Sequence, residues 1–400
     1  MYPPLQNLKL VIVIPCLAET GISQTLESLR KNSGFTLPTE CLVVINHSAL
    51  ADQEIKSINQ KILDDISAAR EKLNSDNLKF IPVATFNLPD KKAGVGLARK
   101  IGMDMAVERL KQSGNLKDGI IVCLDGDCTV QENYLAEIEK FFSTHKANGC
   151  SIYFEHPLDG ENAEGIIDYE LFLRYYNGAL RWTGFPYAFQ TVGSSMAVSA
   201  IAYEKQGGMN TRKAGEDFYF LNKIVQLERF GDLTTTTVFP SSRKSERVPF
   251  GTGREMIEWE KNRHLPAYHP DLFIELKKIF GLIDEFLSDD DPLKILSKKN
   301  IHPLLIDYLQ KQKLNEGVLE AKTHTATPAA FRKRFFVWMN AFRIMKLLNE
   351  LSLSSFSKLP IHQCASWLWQ NISSERPGSD AKNLLLQFRK YDRLNARRLE

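Results

Sequence analysis

Short apolar runs alternate with amphipathic stretches along the first third of the chain. Leu8 to Ile14 is a β-rich run ending at Pro15, and Thr20 to Lys31 then carries Ile22, Leu26 and Leu29 on one helical face. Cys41 to Ile45 predicts a second strand, Ala51 to Asn74 a long polar helix, and Phe80 to Ala84 a third strand. A helix over Leu97 to Leu110 and a fourth strand over Gly119 to Leu124 complete this part. Short strands alternating with helices predict a mostly parallel, Rossmann-like α/β sheet. In such sheets the chemistry gathers in loops after the strand C-termini. Those loops hold Cys16 to Glu19, Asn46 to Ser48 and Asp125 to Asp127.

Beyond about residue 150 the pattern is mixed. Thr191 to Ala200 is rich in small residues, Glu216 to Arg229 predicts a helix, and Thr234 to Phe239 is β-branched. After about Glu255 the strand-like runs largely disappear. Leu272 to Leu287, Pro303 to Gln312, Ala329 to Leu351 and Ala381 to Leu399 predict amphipathic helices. We therefore expect an α/β domain over 1–255 and an α-helical domain over 256–400.

Composition narrows the function classes. The chain has 400 residues, 43% hydrophobic, which exceeds what one core usually serves and agrees with two domains. A formal net charge of +3 argues against nucleic acid as a partner. There is no apolar run long enough to span a bilayer, and Met1 to Leu10 lacks the pattern of a secretory signal. Six cysteines without a C-x-x-C pair predict buried thiols in a reducing cytoplasm. From residue 256 onward, 23 Lys and Arg face 17 Asp and Glu, and Phe331, Phe335, Trp338, Phe342 and Met345 follow helical spacing beside Arg332-Lys333-Arg334. Such a stripe predicts core, with peripheral membrane contact through basic helices as the alternative.

Four constellations carry chemistry. In Ile120 to Asp127 an apolar strand delivers Asp125 and Asp127, one residue apart, to a loop. Two carboxylates so spaced can hold Mg²⁺ or Mn²⁺, with diphosphate oxygens and water completing the shell; the structural alternative is an acidic β-turn. In Gly207 to Asp217 a glycine-bearing loop brings Glu216 and Asp217 to a helix N-terminus. They could cap the helix, or Asp217 could act as general base with Glu216 capping or holding an acceptor hydroxyl. Phe218, Leu221 and Val225 are expected on the buried face of that helix. Arg243, Lys244 and Arg247 lie beside Gly251 and Gly253 and suit a loop over a diphosphate, or a solvated basic loop. The fourth, Lys91 to Lys100, is not a dinucleotide fingerprint, because the third glycine position falls on Arg99.

Taken in order, these pieces resemble the family 2 glycosyltransferases of the GT-A fold. The resemblance covers roughly residues 8–250 and rests on Val11 to Glu19, Gly96 to Gly102, Asp125-Gly-Asp127, and Val192 to Ser195 followed by Gly207-Gly-Met and Gly215-Glu-Asp217. It implies a nucleotide-sugar domain and transfer of a sugar to an acceptor hydroxyl in glycan or glycoconjugate synthesis, by an inverting route, with a retaining route left open. The acceptor would be a glycan, a lipid-linked species or a small molecule. By the resemblance Asp127 ligates Mn²⁺ or Mg²⁺, Asp125 contacts metal or ribose, and Asp217 is the base. Pro15, Glu19, Asn46 and Arg99 would line the donor pocket, with His264 or His269 as candidate third metal ligands. Two positions depart from the family pattern: Ala18 stands for the usual Asn, and Asn46-His47-Ser48 for the acidic residue after the second strand. A rival reading uses Leu124 to Val130, which also fits the D-x-D-x-T-V motif of haloacid-dehalogenase-type phosphatases, with Asp125 as nucleophile.

Overall fold

The computed structural model describes residues 3–213, 215–245, 251–289, 291–397 and 399. The chain divides into two compact units. The first comprises Met1–Ile166, Thr191–Glu258 and Arg389–Glu400, and the second Ile167–Gln190 and Trp259–Phe388.

The first unit is built on β1 (Leu10–Cys16), β2 (Thr39–Ser48), β3 (Leu78–Leu88), β4 (Ile120–Cys123), β5 (Thr129–Val130), β6 (Gly149–Phe154), β7 (Met196–Ser199) and β8 (Phe230–Phe239). They form one sheet in the order β3-β2-β1-β4-β7-β6-β8-β5. The expected α/β architecture, with a helical C-terminal region, is present. Neighbours among β1 to β4 are parallel, as is the β6–β8 pair, while β7 runs antiparallel to β4 and β6, and β5 to β8. The sheet is therefore parallel in its first half and mixed in its second. All seven residues of β1 are buried, because the strand is covered on both faces.

The helices in chain order are α1 (Ile22–Arg30), α2 (Gln53–Ala68), α3 (Arg70–Leu73), α4 (Val95–Gln112), α5 (Tyr134–His145), α6 (Ala163–Trp182), α7 (Ala200–Lys205), α8 (Glu216–Val225) and α9 (Thr252–Asn262). α1 buries Ile22, Leu26 and Leu29, the face its periodicity predicts. α4 lies against β1 and β2. A Cβ at Gly102 would come within 2.3 Å of Val13 Cγ1 and 2.9 Å of Val44 Cγ2, so only glycine permits this approach. Three expectations are corrected. The single helix over 51–74 is divided at Ala69 into α2 and α3. The 20-residue α6 and the strand β6 arise where the sequence pattern shows neither. α8 ends at Val225 rather than near Arg229, because Glu228 and Arg229 take positive φ values.

The second unit is helical, with one short antiparallel pair, β9 (Pro266–Ala267) and β10 (Leu359–Pro360). Its helices are α6 from Ile167 onward, the end of α9 from Trp259, α10 (Pro270–Gly281), α11 (Ile283–Ser288), α12 (Pro292–Lys298), α13 (Pro303–Lys311), α14 (Leu314–Thr323), α15 (Pro328–Trp338), α16 (Ala341–Ser352), α17 (Ile361–Ile372) and α18 (Ala381–Leu394) as far as Phe388. Four of them begin with proline behind a capping side chain: His269, Asp291, His302 and Thr327. Proline suits that first position because the N–H it lacks has no helical partner there. The expected helix over 329–351 is two helices, since the Asn340 side chain accepts from Phe342 N and Arg343 N and starts α16. Likewise 272–287 divides at Leu282. Phe331 and Phe335 of the aromatic stripe are core, while Trp338, Phe342 and Met345 are half-buried. Among the described residues no helix is long and apolar enough to cross a membrane. All six cysteines are buried free thiols.

The close approach of α4 gives a stability test. Gly102→Ala should lower Tm, with a loss of about 1–3 kcal/mol from overpacking. Gly281→Ala, where nothing lies within 4 Å of the added carbon, should leave Tm almost unchanged. Thermal unfolding followed by circular dichroism compares the two; equal Tm values would refute the packing argument.

Candidate functional site

Strand β4 ends in a tight turn. Cys128 N donates to Asp125 O at 3.1 Å, so Asp125-Gly-Asp127-Cys128 is a β-turn as well as a pair of carboxylates. The turn is held from α1, where Thr25 Oγ1 donates to Gly126 O at 2.9 Å. Gly126 also lies under Glu19: a Cβ there would meet Glu19 Cγ at 3.1 Å. Glu19 follows β1, the parallel neighbour of β4. Two loops at the same end of two adjacent strands thus bring Glu19 beside Asp125 and Asp127, where open α/β sheets bind ligands.

Arg99 is the centre of the site. It sits in the second turn of α4, with a side chain only 2% exposed. Its Nη2 donates to Asp125 Oδ1 at 2.6 Å, and its Nη1 donates to Glu216 Oε1 at the start of α8. Burial opposes the charge on Arg99, but Asp125 and Glu216 outweigh it and hold the group protonated. A Cβ on Gly193 would lie 2.7 Å from Arg99 Nη1, so the segment before β7 packs directly on the guanidinium. Arg99, expected to line a donor pocket, is instead an internal counter-ion joining the turn after β4 to the N-terminus of α8.

Glu216 and Asp217 form the acceptor-side pair of acids. Gly215 enters α8 in the left-handed region at φ 68°, and Asn210 Nδ2 donates to Glu216 O at 2.8 Å. Of the two roles open to Glu216, capping α8 or holding an acceptor hydroxyl, the structure does not show the cap: its side chain is buried and paired with Arg99. Leu221 and Val225 are buried as expected, whereas Phe218 is only half-buried. Asp217 Oδ1 accepts from Phe218 N at 2.7 Å, and the Gly193 N–H also donates to its carboxylate. Burial raises the carboxyl pKa of both Glu216 and Asp217, with Arg99 opposing the rise. A carboxylate raised in this way is a stronger base near neutral pH.

Arg243 follows β8. Its guanidinium engages Glu19 through both terminal nitrogens, at 2.7 Å from Nη1, and its Nη2 lies 3.1 Å from Asp127 Oδ2. Lys244 is exposed, and Arg247 lies outside the described residues. Burial and then the charge of Asp125 raise the Asp127 carboxyl from 3.8 to about 6, against the opposing charge of Arg243.

The structure thus brings together Glu19, Arg99, Asp125, Asp127, Glu216, Asp217 and Arg243. Pro15 is buried within β1. Asn46 ties two strands together, its Nδ2 donating to Cys16 O at 3.1 Å and Val44 O at 3.4 Å. His264 is exposed, with Nδ1 2.8 Å from Asn262 O, and His269 caps α10 by accepting from Asp271 N. Among the described residues no cluster of three or more His, Cys, Asp or Glu is placed to hold a metal ion. Sequence reasoning missed Asn59, whose Oδ1 accepts from Ala18 N at 2.8 Å and whose Nδ2 donates to Asn46 O at 2.9 Å. Ala18 has a φ of 45°, a strained value for a non-glycine residue, so Asn59 shapes the loop that carries Glu19. An asparagine buried on an otherwise polar helix was the only signal for it.

No protein-family model and no curated protein sequence matches the chain. Solved structures share a limited likeness. S. aureus TarS 1–349 in complex with UDP-GlcNAc aligns at 16% identity over 84% of this chain and 92% of that chain, with a TM-score of 0.43. GalNAc-T7 with UDP, GalNAc and Mn²⁺ aligns at 14% identity over 59% of this chain and 44% of that chain, with a TM-score of 0.38.

Proposed function

We propose that the chain is a divalent-metal-dependent glycosyltransferase that moves a sugar from a nucleotide-sugar donor to an acceptor hydroxyl with inversion. One observation carries the reading: Arg99 joins the aspartate turn after β4 to the paired acids of α8. The carboxylates suited to a metal and a carboxylate suited to act as base therefore share one site. The acceptor is a glycan, a lipid-linked species or a small molecule, and the sugar and base are left to experiment.

The residues fit a hard cation. Asp125 and Asp127 would supply carboxylate oxygens; burial first, and then the neighbouring charge of Asp125, raise the Asp127 carboxyl, and a divalent ion would offset the second of these. Two protein carboxylates leave the remaining positions to donor oxygens and water. When bound, such an ion neutralises the diphosphate and stabilises it as a leaving group. Asp217 then accepts the proton of the attacking hydroxyl, and Arg99 keeps Glu216 and Asp125 in place. Thermal-shift measurement with uridine and guanosine diphosphates and their sugars, with and without Mn²⁺, tests the reading. A native-state ligand at a hundredfold excess over Kd stabilises by about 2.7 kcal/mol. No shift with any of them, alongside phosphate release from an aryl phosphate, would favour the phosphatase alternative with Asp125 as nucleophile.

The Asp127 carboxyl yields a pH prediction. Its folded value, about 6, lies above its ordinary 3.8, so the folded chain favours the protonated form. That stabilisation is present below the lower value and is lost as pH rises through the higher one. Asp127→Asn should therefore raise the Tm of the metal-free protein above about pH 7, and the gain should vanish near pH 4. At about 1.4 kcal/mol per pH unit, reduced for partial exposure, the gain is about 1–2 kcal/mol. A pH-independent difference in Tm would contradict the assignment. The same variant should lose Mn²⁺-dependent stabilisation by nucleotide.

Asp217→Asn keeps shape and removes basicity. Donor affinity should stay near the parent value in calorimetry, while single-turnover transfer falls by about 10²–10⁴-fold. A rate within a few-fold of the parent would reject Asp217 as base, and a large loss of donor affinity would move it to the donor side.

A further inference from the structure

We propose that Arg243 occupies the cation position on Asp127, so that a divalent ion binds there only when a diphosphate draws the guanidinium away. This inference rests on the metal reading above. Arg243 follows β8 on a segment anchored on both sides: Ser242 O accepts from Asn162 Nδ2 at 2.9 Å, and Ser245 N donates to Gly253 O at 3.2 Å. Ser245 packs so closely on Gly253 that a Cβ there would lie 2.5 Å from Ser245 Cβ. The backbone is thus fixed, and the guanidinium lies on two carboxylates. Both terminal nitrogens engage Glu19, whose side chain is 5% exposed, and Nη2 lies 3.1 Å from Asp127 Oδ2.

The two contacts differ in kind. Arg243 to Glu19 is a bidentate contact of a half-exposed guanidinium with a buried carboxylate, the geometry that guanidinium and carboxylate hold most strongly. Arg243 to Asp127 is a single longer contact to a half-buried group. The Asp127 contact is therefore the one that yields. A divalent ion approaching Asp127 alone meets the like charge of the guanidinium and gains only two protein carboxylates in return. A diphosphate changes both terms. It supplies oxygens to the ion, and its charge attracts the Arg243 side chain away from Asp127 while Glu19 still tethers the group. Metal and diphosphate then bind with strong mutual dependence, and Arg243 sets its size. By linkage, the factor by which diphosphate improves metal affinity equals the factor by which metal improves diphosphate affinity.

The experiment measures Mn²⁺ binding by electron paramagnetic resonance, with no turnover involved, for the full chain and the variant Arg243→Gln. Because that change leaves buried Glu19 without its guanidinium, the double variant Glu19→Gln/Arg243→Gln is measured beside it, removing both charges together. With Mn²⁺ alone, both variants should bind at least about 10-fold more tightly than the parent. UDP or GDP, whichever stabilises the parent in thermal shift, should raise parent Mn²⁺ affinity far more than that of either variant. Adding Asp127→Asn to Arg243→Gln should abolish the gain. Equal Mn²⁺ affinity in parent and both variants without nucleotide overturns the proposal, as does a gain that survives loss of Asp127. Absence of Mn²⁺ binding in every protein, with or without nucleotide, overturns the metal reading itself and this inference with it.

Discussion

A single buried guanidinium organises the site. Taking Arg99 out of water costs several kcal/mol unless it is fully paired. It is paired with carboxylates 26 and 117 residues away in sequence, one on the turn after β4 and one at the start of α8. Removing either partner would leave N–H groups of a buried guanidinium without an acceptor, so both segments are tied to the same side chain. The glycines around this ion follow from it. Gly193 has no side chain because the guanidinium stands where its Cβ would be. Gly96, a turn earlier in α4, has none because Arg212 O would lie 2.0 Å from an added carbon. The loop before α8 can therefore close over the start of α4 and deliver Glu216 to Arg99. The motif-like spacing of glycines, arginine and acids is the imprint of one ion pair network on several chain segments.

Much of this was legible before any coordinates. The strands β1 to β4 stand out because strands covered on both faces are continuously apolar, and the loops after them are where acids were expected to matter. The face of α1 followed from its periodicity. What was not legible shares a cause: side chains whose partners are distant in sequence. Helix α6 buries Glu170 and Arg174, joined at 2.7 Å, so charged residues occupy the face where a pattern search expects apolar ones. The antiparallel direction of β7 leaves no mark in side-chain type. Asn340 breaks a helix by capping the next one, though it reads as a surface polar residue, and Asn46, which reads as a donor-pocket residue, donates its amide to a strand 30 residues away. Arg99 reads from the sequence as a donor contact, because nothing local to α4 shows that Glu216 fills its other hand.

Glu19, Asp125, Asp127, Glu216 and Asp217 converge, and the described cations in direct contact with them are Arg99 and Arg243. Burial raises the carboxyl pKa of Asp127, Glu216 and Asp217, and neighbouring acids add to the rise. A diphosphate is itself anionic, so this site would repel it if it entered alone. A protein that merely bound an anion would gain by replacing these acids with neutral or basic side chains. Retaining them makes sense where positive charge arrives with the ligand, as a divalent ion does. These crowded carboxylates then favour the very complex that the proposed reaction requires, since the cost of holding them together falls when metal and diphosphate bind. One acid of the set, Asp217, is held by the N–H groups of Phe218 and Gly193. The raised pKa that is a burden in the resting protein is there the property a proton acceptor needs.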